Sequence, residues 1–186
     1  VAIMKHAMES FFDFIEEEGL GTQARTIASQ AFNAFRYRFM EHDIMIHSSE
    51  NALTLERQAY SGGRVEVFQK GTIQEPVYYL DVNSMYPYVM KTFRYPTCIS
   101  TYKTRCSLPE LERYLEQYLI VAKVKVRTEE PVYPKKVKGR LIFPVGEFVT
   151  VLSTPEIQYA LERNDIVDVY EVALYRQGNV FGKYVD

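Results

Sequence analysis

Tryptophan is absent from the 186 residues, cysteine occurs twice and histidine three times. Cys98 and Cys106 are too few for a disulfide framework, and their spacing is neither that of a CxxC pair nor that of zinc ligands. They read as free thiols in a reducing compartment. His6, His42 and His47 have no cysteine or carboxylate at ligand spacing, so they make no metal set and read as surface or turn residues. No uncharged apolar run approaches the roughly 18 residues that a membrane span needs. The N-terminal stretch carries Lys5 and His6 and then turns acidic, which is not a signal-peptide pattern. An excess of one charge is missing too: 22 Lys and Arg against 24 Asp and Glu give a formal charge of −2. A protein that grips nucleic acid by overall charge is thereby excluded, and any such contact must be local or shared with a partner. Internal repeats and low-complexity tracts are also lacking.

What is present is globular. With 47% hydrophobic and 25% charged residues, the chain suits one ordinary domain or two small ones, burying roughly 70% of its unfolded surface. Because it starts with Val rather than Met, it reads as a fragment. Ile3, Ala7, Phe11, Phe14 and Ile15 recur at helical spacing until Gly19-Leu20-Gly21, with Glu16-Glu17-Glu18 as a solvated acidic end. A second helix is expected from near Thr22, with Ile27, Ala31, Phe35 and Phe39 on one stripe and Arg25, Arg36 and Arg38 opposite. A third, Glu50 to Ala59, ends ahead of Gly62-Gly63. Beyond Gly63 the patterns mix β and α. Arg64 to Phe68 and Pro76 to Val82 read as hairpin strands around Lys70-Gly71. Helices are expected over Ser84 to Phe93, over Ser107 to Gln117 with Pro109 in the first turn, and from Thr154 as N-cap to about Arg163. Leu119 to Arg127 alternates apolar residues with Lys123, Lys125 and Arg127, the mark of a strand with one wet face. A bent β segment is expected over Leu141 to Leu152, a long strand over Ile166 to Tyr175, and a final helix over Asn179 to Asp186. The fold class is α+β: N-terminal helices followed by a mixed, mainly antiparallel sheet with helices.

Chemistry concentrates in Tyr78-Tyr79-Leu80-Asp81-Val82-Asn83-Ser84-Met85-Tyr86-Pro87. An apolar run delivers the carboxylate of Asp81, and a helix begins at once, with Ser84 suited to the N-cap and Pro87 tolerated in the first turn. Free N–H groups and the positive end of a helix dipole make such a corner a phosphate seat. A carboxylate beside that seat can share Mg²⁺ with phosphate oxygens. An Asp ahead of a helix is more often only a cap, so the corner by itself is weak evidence.

The longer string is more specific. Asp81-Val82-Asn83-Ser84-Met85-Tyr86-Pro87 resembles the first palm motif of family B DNA polymerases, Asp-x-x-Ser-Leu-Tyr-Pro, with Met85 as a volume-conserving change from Leu. Tyr60-Ser61-Gly62-Gly63 resembles the Tyr-x-Gly-Gly motif that precedes it in the protein-primed subgroup of phage, adenovirus and linear-plasmid type. Softer likenesses are Thr26 to Ala31 with Phe35-Arg36, similar to the link between exonuclease and palm, and Leu141 to Gly146, similar to the insertion after the first motif. The resemblance implies a helical linker over 1–59, the first part of the palm over 60–100, and the insertion with a returning palm segment over 101–186. Asp81 would be the catalytic residue, binding two Mg²⁺ ions with help from the carbonyl of Val82. Backbone N–H groups from Asn83 through Ser84 and Met85 to Tyr86 would hold the triphosphate of a dNTP, and the Tyr86 ring would exclude a 2′-hydroxyl. Tyr60, Gly62, Gly63 and Arg64 would lie near primer–template DNA or a terminal (priming) protein. Gly62-Gly63 also reads as a plain helix stop before a strand. The expected partners are therefore DNA, dNTP, a priming protein and the remainder of a polymerase chain, with no membrane. The expected location is cytoplasmic, a bacterial host or wherever the parent replicon is copied.

The strings Tyr-x-Asp-Thr-Asp-Ser and Lys-x-x-x-Asn-Ser-x-Tyr-Gly, which carry the second carboxylate and the fingers lysine in that family, do not occur here. Two-metal transfer needs ions held about 4 Å apart, and one aspartate cannot hold both without a second carboxylate. The expectation is a polymerase fragment that is inactive alone. The alternative is a non-catalytic module that docks DNA or a terminal protein. A metal-dependent nuclease site would need a further carboxylate beside Asp81, with Glu66 or Glu147 as candidates. Lys135, Lys136, Lys138 and Arg140 form the one basic run, either a DNA- or protein-facing patch or a solvated loop. The many tyrosines read as strand packing rather than base-stacking platforms.

Overall fold

The computed structural model describes residues 2–185, and the chain forms two compact units. One comprises residues up to 43, 82–95 and from 178 onward; the other comprises 44–81 and 96–177.

The first unit is helical. α1 (Ala2–Glu17) buries Ile15 alone, and Ile3 and Phe14 of its apolar stripe stay exposed. α2 (Ile27–Ala34) starts later than the spacing predicts, because Thr26 takes the N-cap and its Oγ1 accepts from the Ser29 N–H at 3.1 Å. The preceding loop is tied to the helix instead of extending it. Gln30, itself buried, donates to the Leu20 carbonyl and accepts from the Ala24 N–H, and Asn33 donates to the Thr22 carbonyl. Gly21 adopts a φ of +82°, and a Cβ there would lie 2.5 Å from the Tyr37 ring, so only glycine fits. A π-helical turn, Phe35–Phe39, follows α2 and presents Phe35 and Phe39 to an aromatic cluster. Phe35 meets Phe181 at 5.2 Å and Tyr184 at 5.7 Å, and Tyr95 meets Phe181 edge-on at 4.8 Å. Ile27, expected on the buried stripe, is 84% exposed. α4 (Met85–Thr92) and the short α7 (Gly182–Val185) complete this unit. The expected final helix thus starts later, and Asp186 lies outside the described residues.

The second unit is a four-stranded sheet with helices on both faces. Its strands are β1 (Tyr95–Thr104), β2 (Leu119–Thr128), β5 (Gly146–Ser153) and β6 (Ile166–Gly178), in the order β1-β6-β2-β5, with the terminal residues Tyr95 and Gly178 belonging to the first unit. β2 runs antiparallel to both β5 and β6. Alternation along β2 sends Ile120, Ala122, Val124 and Val126 to one face. There they meet Leu111 of α5 (Leu108–Leu115) and Ile157 and Ala160 of α6 (Thr154–Glu162). The opposite face, at Val151, Ala173 and Tyr175, receives Ala52 and Leu55 of α3 (Glu50–Ala59). β6 is therefore covered on both sides, and Val172 to Tyr175 are buried without a break.

Both helices that enter this core carry capping boxes. The Glu110 carboxylate accepts from the N–H and hydroxyl of Ser107, and Glu156 does the same for Ser153. The cap of α6 is thus Ser153 rather than Thr154. The Thr154 hydroxyl is instead spent on β2, accepting from the Ile120 N–H at 2.6 Å and donating to its carbonyl at 3.1 Å.

Two expectations fail for one reason. Arg64 to Phe68 and Pro76 to Val82 form no strands: Val65, Tyr79 and Leu80 are 95%, 96% and 87% exposed, and neither run joins a ladder among the described residues. Their residues favour a pleated surface, but a lone two-stranded ribbon is marginal in water without a third strand or a helix against it. The bent segment resolves into β4 (Arg140–Ile142) and β5, parted at Pro144. β4 pairs with β3 (Lys135–Val137), so the basic run is a hairpin rather than a loop. Its two-residue turn, Lys138-Gly139, has φ of 49° and 77°, the primed geometry that matches strand twist.

Candidate functional site

Asp81 closes a segment of the second unit, and Val82 opens one of the first. The aspartate is exposed, and no hydrogen bond or ion pair engages it among the described residues. Val82 and Asn83 lead through a turn into α4, and the Val82 carbonyl accepts from the Met85 N–H at 3.3 Å. Ser84 does stand at the N-cap, but in the left-handed conformation (φ 54°, ψ 31°) and without a side-chain capping bond. The sequence reading of Ser84 as a side-chain cap is thus corrected. A cap accepts N–H bonds from extended backbone, whereas the tight turn after Asp81 forces a positive φ here. No serine oxygen covers the first amides of α4, an arrangement suited to anions. Tyr86, 73% exposed, and Met85 project from that first turn. Pro87, third residue of the helix, has no N–H to waste. At the far end the Tyr95 hydroxyl donates to the Val89 carbonyl at 3.0 Å.

The Tyr60-Ser61-Gly62-Gly63 string leaves α3. Tyr60 is the C-cap, and its N–H donates to the Glu56 carbonyl at 2.9 Å. Around Gly62 and Gly63 the space is open, with no atom within 4 Å of where a Cβ would stand. Arg64 is held on three sides. It pairs with Glu66, donates to the Pro131 carbonyl at 2.7 Å, and lays its guanidinium 4.6 Å from the centre of the Phe143 ring. Gly63 to Glu66 and Leu141 to Phe143 line an open cleft of about 420 Å³.

The alternative partners for Asp81 are engaged elsewhere. Glu66 serves Arg64, and Glu147 bonds Lys125 and Arg127, whose cations hold its carboxyl below the usual range. Among the described residues no three His, Cys, Asp or Glu side chains gather as a metal site. His47 is absorbed structurally, its Nε2 2.9 Å from Glu56 Oε1. Two contacts escaped sequence reasoning. Lys136 of β3 donates to the carbonyls of Tyr60 and, at 3.0 Å, Arg57, and Phe143 lies under Arg64. A lysine in a basic run and a phenylalanine before proline carry no local signal of either.

A family model described as DNA polymerase type B, organellar and viral, matches residues 1–186. Among curated proteins, a probable DNA polymerase of Neurospora intermedia is 25% identical over 177 residues, 89% of this chain and 18% of that protein. A DNA-directed DNA polymerase of Enterobacteria phage PRD1 is 37% identical over 91 residues, 49% of this chain and 15% of that protein. The chain thus spans under a fifth of the length of these relatives. In fold, phi29 DNA polymerase in an orthorhombic crystal form is similar with a TM-score of 0.61 at 15% identity, over 93% of this chain and 33% of that one. No helix among the described residues is long and apolar enough to cross a membrane.

Proposed function

The chain belongs to the type B DNA polymerases, organellar and viral, and on that premise we propose that it supplies the first-motif half of a nucleotidyl-transfer site. The parent activity is template-directed addition of deoxynucleotides to a primer 3′-hydroxyl or a priming protein's hydroxyl. Family B polymerases use divalent metal ions. The donor chemistry here suits Mg²⁺ in part: a free carboxylate at Asp81 and a carbonyl at Val82 are hard oxygen ligands, and a further carboxylate has to join them. Bound there, the two ions would supply charge stabilisation at the reacting oxygens.

The chain's own residues carry the remaining roles. Backbone N–H groups from Asn83 to Tyr86 hold the dNTP triphosphate at the start of α4. The ring of Tyr86 closes the space a 2′-hydroxyl would need. Tyr60, Gly62, Gly63 and Arg64 meet the template strand, with a terminal protein as the further partner of a protein-primed enzyme. Residues 1–59 act as the linker, 60–100 as the first part of the palm and 101–186 as the insertion and its return.

The observation that carries this reading is Asp81, exposed and unpaired among the described residues, with a helix that lacks a side-chain cap starting four residues further along the chain. In a complete polymerase containing this segment, Asp81→Asn abolishes primer extension while DNA binding persists in a filter or anisotropy assay. Retained turnover favours the non-catalytic docking module instead. Tyr86→Val admits ribonucleotides in a competition assay, and an unchanged sugar preference removes Tyr86 from that role.

A further inference from the structure

The Tyr60–Arg64 loop is bare in the middle and fastened at both ends by one distant piece of chain. Gly62 and Gly63 have no neighbour within 4 Å of a Cβ position, and glycine pays the largest entropy to be fixed. At the loop's start, the Lys136 ammonium donates to the carbonyls of Arg57, in the last turn of α3, and of Tyr60, its C-cap, where a cation also meets the negative end of the helix dipole. The same ammonium stands 6.0 Å from the centre of the Tyr60 ring. At its end, Arg64 reaches the Pro131 carbonyl and the Phe143 ring. Lys136 lies between these two anchors, and its hairpin is rigidified by the primed turn at Lys138-Gly139. Among the described residues, no other part of the loop has a hydrogen bond or ring contact with side chains as far away in sequence.

We propose that Lys136 is a positioning residue for the template strand: it fixes the exit of α3 so that the Gly62-Gly63 backbone is preorganised to approach DNA phosphates. This rests on the reading of Tyr60 to Arg64 as a DNA-facing loop. Lys136 acts through Tyr60: two of the three donors of its ammonium are committed to protein carbonyls, and the salt dependence of binding reports whether the third reaches a phosphate. Ordering the loop before binding removes an entropy cost from association, so the effect falls on DNA affinity.

The test is made in a complete polymerase carrying the segment, by anisotropy titration of primer–template DNA over a salt series with steady-state dNTP kinetics alongside. K136M is expected to weaken DNA binding about tenfold and to leave the KM for dNTP and the slope of log K against log salt unchanged; K136R, which keeps both donors, is expected to restore most of the affinity. Unchanged affinity in K136M overturns the proposal. So does a salt slope reduced by about one, the signature of a lysine that contacts a phosphate directly. If K136M loses the fold by thermal melting, K136A takes its place with the same two overturning results. Asp81→Asn run in parallel separates the two readings: loss of extension there with intact DNA affinity in K136M sinks the positioning role alone.

Discussion

Tyr133 shows how one polar atom is kept inside the second unit. Its ring is 1% exposed and its hydroxyl donates to Asp165 Oδ2 at 2.6 Å. Burial, and then the facing carboxylate, push its ionisation above the ordinary tyrosine range. Asp165 is also approached by Arg163 at 3.3 Å, so the carboxylate joins a buried hydroxyl to an exposed cation. Removing the hydroxyl leaves the ring packed and deprives the carboxylate of one donor. Tyr133→Phe is therefore expected to cost about 1–2 kcal/mol in urea unfolding, with the denaturant slope unchanged; a variant as stable as the parent shows that the bond contributes nothing net. Gly21 makes a different point, one of conformation rather than satisfaction. Gly21→Ala combines a positive φ with a collision against Tyr37 and is expected to destabilise the first unit by about 1–3 kcal/mol in thermal melts, and an unshifted melt refutes that steric argument.

Elements differ in how far their own residues determine them. α3, α5 and β2 are legible because their information is local: a 3.6-residue stripe, a Ser-x-x-Glu box with proline in the first turn, and a strict alternation with Lys123, Lys125 and Arg127 on the wetter face. Leu111→Ala, at a fully buried α5 position, is accordingly expected to cost about 2–5 kcal/mol by chemical denaturation. β1 is not legible. Pro96, Ser100 and Lys103 interrupt its apolar pattern, and it is a strand because β6 offers a ladder. The converse holds from Arg64 to Val82, where composition favours strands and no ladder partner exists among the described residues. The candidate site divides in the same way. Asp81 to Pro87 and Tyr60 to Gly63 can be read as strings, since a carboxylate, a turn and glycines are specified within a few positions. Lys136 meets Tyr60 across 76 positions, and only the folding of the β3–β4 hairpin against the end of α3 brings them together.

For the molecule as a whole, a formal charge of −2 leaves little global repulsion, so its pH response is set by particular pairs. The central one is Glu171, which accepts from Lys123 Nζ and from the Tyr102 hydroxyl, each at 2.8 Å. Lys123, then the tyrosine, hold the Glu171 carboxyl below its ordinary value of 4.5. Burial, then the same carboxylate, push Tyr102 up to about 12 from 10.0. The two shifts act on opposite limbs. For Glu171 the unfolded chain binds more protons below about pH 4.5, so its stabilisation is complete above that value and is lost as pH falls through the lower folded pKa. For Tyr102 the folded state holds its proton longer, so its contribution is complete below pH 10 and is lost as pH rises towards about 12. Urea unfolding across pH should therefore show a plateau flanked by both losses. In Glu171→Gln the acid loss becomes shallower, because the neutral amide has no proton to gain, and in Tyr102→Phe the alkaline loss becomes shallower while the acid limb remains. Acid and alkaline slopes identical to the parent in both variants would show that this pair does not couple folding to protons. In that event other shifted groups, among them Glu110 and Glu147 on the acid side and Cys106, Tyr95, Tyr133 and Tyr175 on the alkaline side, would have to carry the response.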